Sequence, residues 1–328
     1  MRVGINISDL TYDRMRSYAQ SAEAHGLDSV WIGETWGWEA FTIVGELAQL
    51  TDEVTIGTGI VPTYTRSPAL LGQAAATAAE TTDDRFVLGL GTSGPAVIEN
   101  WHGTDFERPI GRTAETISVI EQVLSGDTVS HDGTDFQLDG FRFRAQRETG
   151  DVPIYVGAIG PSNVRMCGAV ADGWMPIFVP RHRIEELYEE FVDSATDRDR
   201  DPDDLTVSVN TVAAISEDGE AARNAVRHHI AFYVGAMGDF YHRTLSDAGY
   251  EDNADAVQSA WNDDGPEAAA TAVSDEVIAE TAIAGTPDEA HDQLDRFADS
   301  PANETVLFFP RAADGDLMES TIKHLGDY

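Results

Sequence analysis

The sequence predicts an α/β chain folded as a (β/α)8 TIM barrel. Short apolar runs alternate with amphipathic helical segments along most of its 328 residues, and eight such runs can be counted. The turns that follow them are rich in glycine and polar residues. An open doubly wound sheet satisfies the same alternation and is the alternative; eight strand–helix units fit a closed barrel better.

Val3–Ile7 reads as the first strand, followed by a helix with Met15, Tyr18, Ala19 and Ala22 at helical spacing and a stop at Gly26. Ser29–Gly33 is the second strand, leading to a helix bearing Val44, Leu47 and Ala48. Val54–Val61 reads as one continuous third strand, after which Ser67-Pro68 caps and opens an alanine-rich helix. Phe86–Gly91 is the fourth. An insertion over about 95–150 then holds a helix at Arg112–Leu124 and a polar stretch of hairpin character, Thr128–Phe143. Val152–Gly157, Gly173–Phe178 and Leu205–Ala213 are strands five to seven. The span Glu217–Ala282 is a helical insertion with no convincing strand. Thr286-Pro287-Asp288-Glu289 is a capping box opening another helix, Thr305–Phe309 is the eighth strand, and Leu317, Ile322 and Leu325 mark a last helix. The whole of 1–328 reads as a single domain.

Composition narrows the function. A hydrophobic fraction of 42% excludes wholesale disorder. No apolar run is long enough to span a bilayer, and the first residues lack a signal peptide, so the expectation is a cytoplasmic protein with no membrane partner. The net charge of −37 is spread along the chain, and Lys323 is its only lysine. Such a surface suits molar salt, where self-repulsion is screened, and points to a salt-loving archaeon. No basic stripe exists to neutralise phosphates, which argues against nucleic acid. Cys167 sits on an apolar helical stripe with Val164, Val170 and Ala171 and reads as a packed thiol. The histidines show no metal-ligand spacing: His228 and His229 are adjacent and point to different faces of their helix. No Gly-x-Ser-x-Gly nucleophile elbow is present.

Catalytic groups of such barrels lie at the carboxyl ends of the strands. Those ends read Asn6-Ile7-Ser8-Asp9, Gly33-Glu34-Thr35-Trp36, Gly57-Thr58-Gly59-Ile60, Gly89-Leu90-Gly91-Thr92-Ser93-Gly94 and Gly157-Ala158-Ile159-Gly160-Pro161-Ser162. Glycine there lets a ligand approach the backbone, although tight turns use glycine without binding anything. The last of these turns opens a helix whose free N–H groups and dipole suit a phosphate. Trp36 and Trp38 are candidates for an aromatic pocket wall or for packing under a loop.

The same residues carry a resemblance. Gly26–Trp31, Ile56–Ile60, Arg66–Ala69, Arg85–Thr92, Val152–Ala158, Ala171–Trp174 and Ala284–Glu289, in this order, resemble the bacterial-luciferase-like superfamily. Within it, Pro62–Ala69 and Pro153–Pro161 are similar to the coenzyme F420-dependent branch that contains the methylenetetrahydromethanopterin reductases. The resemblance implies a (β/α)8 barrel and an oxidoreductase of one-carbon metabolism with a small-molecule substrate. It further implies coenzyme F420, with FMN as the alternative cofactor, and a homodimer. It implies a non-prolyl cis peptide at Gly59-Ile60 against the ring, cofactor contacts from Glu34, Thr35, Thr58, Thr92 and Ser93, and a phosphate loop at Gly157, Ala158, Ile159, Gly160 and Pro161. Relatives hold a histidine at Thr35 and a glutamate at Asn6, and asparagine cannot act as a general acid. Asp9 or Glu34 is then the expected proton source beside Asn6. Gly94 falls where sugar-phosphate dehydrogenase relatives hold a glutamate, which argues against that activity. An FMN-dependent monooxygenase and a flavin-binding protein without turnover are the competing functions.

Overall fold

A computed structural model describes residues 1–145, 152–237 and 239–328. β1 (Arg2–Asn6) and α1 (Tyr12–Ala24) are followed by β2 (Ser29–Ile32) and α2 (Ala40–Leu47). β3 (Thr55–Thr58) ends before a cis peptide between Gly59 and Ile60, and β4 (Val61–Pro62) resumes before α3 (Pro68–Thr81). β5 (Phe86–Gly91) leads to α4 (Pro95–Asn100), α5 (Pro109–Leu124) and the antiparallel hairpin β6 (Val129–Asp132) and β7 (Gln137–Phe141). β8 (Ile154–Gly157), α6 (Pro161–Val170), β9 (Gly173–Met175), α7 (Arg181–Thr196) and β10 (Thr206–Ile215) continue the alternation. Next come α8 (Gly219–Ala236), α9 (Asp239–Leu245), α10 (Glu251–Asp263), α11 (Pro266–Ala272) and α12 (Asp275–Thr281). β11 (Ala282–Gly285), α13 (Pro287–Ala298), β12 (Glu304–Phe308) and α14 (Gly315–Gly326) complete the order.

Strands β1, β2, β3, β5, β8, β9, β10 and β12 pair in parallel, and the β1–β12 and β9–β10 pairings close the ring. The barrel expectation holds, and the open sheet is excluded. Two elements differ from the sequence reading. The third strand is broken in two, because the chain bulges at Gly59-Ile60 and β4 then pairs with β5 (Val61↔Leu90). The second insertion ends in a strand: Ala282–Gly285 pairs with Val212–Ile215 of β10, outside the ring. The sequence reading ended its helical span at Ala282 and gave Ile283–Gly285 no element, because the run is short and follows α12 without a break.

Strand alternation sorts the side chains. Outward residues such as Ile5, Val30, Ile56, Leu88 and Leu90 pack beneath the helices in the main apolar core. Inward residues Trp31, Val87, Tyr155, Met175 and Val306 fill the barrel, with Ile60 above them. The floor is polar. Glu304, 1% exposed, accepts from Ser29 Oγ at 2.5 Å and Ser208 Oγ at 2.9 Å, while Trp31 Nε1 donates to Ser29 Oγ at 2.8 Å. This satisfied network tolerates a buried carboxylate. The capping box at Thr286 and Glu289 forms as its sequence predicts. Among the described residues no helix is long and apolar enough to cross a membrane.

Candidate active site

At the carboxyl ends of the strands, the chain from Thr58 to Ile60 rises into the barrel mouth and is fastened on several sides. Asn6 Nδ2 donates to the Gly59 carbonyl at 3.2 Å, and the Glu34 N–H donates to the Ile60 carbonyl at 2.9 Å. Gly59 N–H in turn donates to the Ile32 carbonyl at 2.9 Å. Asn6 is itself oriented by Ser8, whose N–H donates to Asn6 Oδ1 at 2.9 Å and whose hydroxyl also meets it. Thr58 is buried and its hydroxyl is occupied: it donates to the Gly89 carbonyl at 2.9 Å and accepts the Gly89 N–H at 2.8 Å.

The glycines of the strand ends are explained by this bulge. A β-carbon on Gly91 would lie 2.8 Å from Ile60, and one on Gly157 3.3 Å from it. A β-carbon on Gly33 would lie 2.6 Å from the Gly59 carbonyl oxygen. The close approach that sequence reasoning assigned to a ligand is therefore made, at these three positions, by the chain's own bulge. Ile60 becomes an apolar shelf over the ends of β5 and β8.

Glu34 is held firmly. Arg66 grips it with two bonds of 2.8 Å, and the Ala40 N–H donates to it at 3.0 Å at the start of α2. Arg66 also contacts Glu39, which caps α2 by accepting the Thr42 N–H at 2.8 Å and the Thr42 hydroxyl at 2.6 Å. Desolvation works against the Glu39 carboxylate, but the Thr42 bonds and Arg66 outweigh it and hold its pKa below the ordinary value. Bidentate grip of this kind fixes orientation as well as charge. Thr35 is half-buried beside Glu34, whereas Asp9 is exposed and left-handed (φ 61°) in the turn after β1.

On the far side of the shelf, Thr92 and Ser93 are half-buried, and Ser93 is also left-handed (φ 57°). The Thr92 hydroxyl donates to the Ser93 carbonyl at 3.1 Å. Ala158 is built into the wall, its carbonyl accepting Trp174 Nε1 at 2.8 Å, and Ile159 packs against the core. Gly160 and Pro161 are exposed at the start of α6, where no side chain caps the helix and no atom lies within 4 Å of a Gly160 β-carbon. Pro161 has no N–H and the Asn163 and Val164 N–H groups donate to the Gly160 carbonyl at 3.0 Å, so the turn offers an anion the Ser162 N–H and the helix dipole. Trp36 and Trp38 are about half exposed. Trp38 donates to the Leu10 carbonyl at 3.2 Å and meets Tyr12 edge-on, so at Trp38 the loop-packing reading is the one realised.

Across the mouth lies a group that sequence reasoning passed over. His229 of α8, 3% exposed, stacks on Tyr233 at 4.7 Å and lies 5.2 Å from Phe308. Tyr233 stacks on Phe178 at 5.8 Å and meets Tyr241 edge-on at 4.7 Å. The signal was available in the four-residue spacing of His229 and Tyr233, which puts both on the buried face of one helix with Ala222, Ala225 and Val226. Arg66 was legible only as part of a motif. Its partner Glu34 lies 32 residues away. Cys167 is buried, its thiol pushed up by desolvation, as a packing role requires.

The chain has relatives among known proteins. It is 28% identical over 319 residues to a Mycobacterium tuberculosis protein provisionally named a coenzyme F420-dependent oxidoreductase, covering 90% of this chain and 91% of that one. It is 28% identical over 316 residues to the 5,10-methylenetetrahydromethanopterin reductase of Methanolobus tindarius, covering 95% and 94%. Its fold matches the coenzyme F420-dependent tetrahydromethanopterin reductase of Methanopyrus kandleri with a TM-score of 0.87 at 23% identity, over 99% and 98% of the two chains. The family model described as luciferase-like monooxygenase matches residues 2–304, and the chain belongs to that family.

Proposed function

We propose that this protein is a coenzyme F420-dependent oxidoreductase that passes hydride between the deazaflavin and a small organic substrate. A methylene-tetrahydropterin or methylene-tetrahydrofolate is the substrate we assign. The observation that carries the reading is the Ile60 shelf over Gly91 and Gly157, with the uncapped start of α6 beside it. A flat ring fits against the first and a phosphate against the second. The near end-to-end likeness to the Methanolobus reductase supports the substrate.

When bound, the deazaflavin supplies hydride transfer. The chain supplies position. Asn6 and the Glu34 backbone hold the two carbonyls of the bulge, so Ile60 keeps one place. Thr92, Ser93, Gly160 and Pro161 would hold the ring edge and the phosphate. Glu34, with both carboxylate oxygens engaged by Arg66, is a positioning residue. Asp9, exposed at the mouth, is the carboxyl free to carry a proton to or from the substrate. Effective molarity from such fixed placement supplies much of the rate. We further place the enzyme in the cytoplasm of a salt-loving archaeon, as a homodimer; the net charge of −37 supports the salt adaptation.

The test is titration with coenzyme F420 and with FMN in molar potassium chloride, followed by fluorescence. Micromolar binding of the deazaflavin with weak binding of FMN is expected. The reverse order would replace this reading by the second one, an FMN-dependent monooxygenase, which the description of the matching family favours.

A further inference from the structure

The wall opposite the Ile60 shelf is built from β9, β10, β12 and the helix α8, and it carries polar atoms with no work inside the protein. His229 Nδ1 accepts the Arg311 N–H at 3.2 Å, which leaves the ring proton on Nε2. That Nε2 is buried and has no hydrogen-bond partner among the described residues. Buried donors are almost always paired, so an orphan one asks for a partner from outside. Burial, the larger effect, and the Arg311 guanidinium push the His229 pKa down to about 3, so it stays a neutral donor. One helical turn on, Tyr233 is half-buried, and its hydroxyl makes no hydrogen bond among the described residues. Burial and the charge of Asp9 push Tyr233 up to about 12, so it too stays protonated. Phe308 packs against the His229 ring, and Phe178 and Tyr241 pack against Tyr233. Phe308 ends β12 and Phe178 follows β9, so the cluster stands on the carboxyl side of the barrel, as the shelf does.

We infer that His229 and Tyr233 form the substrate-recognising wall of the mouth, donating from Nε2–H and O–H to acceptor atoms on one edge of a planar, uncharged ring. Two neutral donors within aromatic faces complement a lactam carbonyl or ring nitrogen better than a carboxylate, which would lose its hydration without gaining a cation. Arg311 lies over Phe232 at 4.2 Å and acts through its backbone by fixing the histidine tautomer. The inference deepens the proposed function and rests on the mouth being its site.

Three probes are titrated into the cofactor-loaded protein in molar potassium chloride, with tryptophan fluorescence as the readout: methylene-tetrahydromethanopterin, methylene-tetrahydrofolate and unreactive folate. Tyr233→Phe and His229→Leu should each weaken the tightest probe about fivefold or more, the scale of one lost hydrogen bond. His229→Gln, which keeps an amide N–H, should recover most of the loss, and cofactor affinity should stay within twofold throughout. Tyr233→Phe keeps its ring, so its result decides even if the leucine variant misfolds. The inference is overturned if Tyr233→Phe binds every probe as the parent does, if glutamine is no better than leucine, or if the parent binds none at millimolar concentration. Failure of coenzyme F420 to bind the parent would instead sink the proposed function, and the same probes added to the cofactor-free chain would still read the wall.

Discussion

Arg66 is the residue on which the second strand end depends. Its guanidinium and the Glu34 carboxylate are 13% and 11% exposed, neither free nor fully desolvated. Replacing Arg66 with methionine leaves Glu34 shielded from water with only the Ala40 N–H as a donor. We expect a loss of roughly 1–3 kcal/mol in urea denaturation, between the values for surface and buried pairs. Weaker cofactor binding should accompany it, because the Glu34 backbone also holds Ile60. An unchanged midpoint would show the pair to be ornamental. His229 makes a second prediction, and its sign follows from proton counting. The folded histidine takes a proton only near pH 3, whereas the unfolded one does so near 6.5. Between these values the unfolded chain binds more protons, so stability is present above pH 6.5 and is lost as the pH falls through that window. Urea midpoints at about pH 7.5 and 5.5 should therefore differ more for the parent than for His229→Gln. Parallel slopes would remove His229 from the account.

At the scale of elements, α6 offers a substitution whose two effects have opposite signs. Gly160 sits at its N-cap with φ −91° and ψ 153°, and a β-carbon there meets nothing. Aspartate suits that position, and Gly160→Asp should leave the thermal midpoint unchanged or raise stability by about 0.5–1 kcal/mol. The same carboxylate would stand where a cofactor phosphate is expected, so affinity should fall tenfold or more. If affinity holds, the phosphate lies elsewhere. Elements also show what could be read in advance. The eight ring strands were legible because each carries a short apolar run between turn signals. β11 was not, since Ala282–Gly285 is stabilised as a strand by pairing with β10 rather than by its own composition. The break between β3 and β4 was invisible in the residues Val54–Val61 themselves and was suggested only by family resemblance. The strand ends announced the shelf side of the mouth. The opposite wall needed α8 to fold back over it, and no local pattern in His229, Tyr233 or Arg311 encodes where that helix lands.

For the whole molecule, the net charge of −37 is the dominant long-range term. Self-repulsion acts over about 10 Å at 0.1 M salt and about 3 Å at 1 M. The thermal midpoint should climb steeply as potassium chloride rises towards molar concentration and then level off, whereas a neutral osmolyte at equal osmolarity should do less. A midpoint independent of salt would refute halophilic adaptation. The barrel floor has a different consequence, one that concerns the order of synthesis. Ser29 on β2 and Glu304 on β12 share a hydrogen bond across 275 residues, and β12 is also the neighbour that β1 requires. On the ribosome the first strand emerges long before its partner exists. The shelf, the Glu34 clamp and the α6 turn can therefore be translated in full yet have no closed ring to stand on. A nascent chain stopped after β10 would expose two unpaired sheet edges, the templates on which chains aggregate. A circular permutant that places β12 immediately before β1 would shorten that wait, and comparing its soluble yield with the parent's would measure how long an open barrel is at risk.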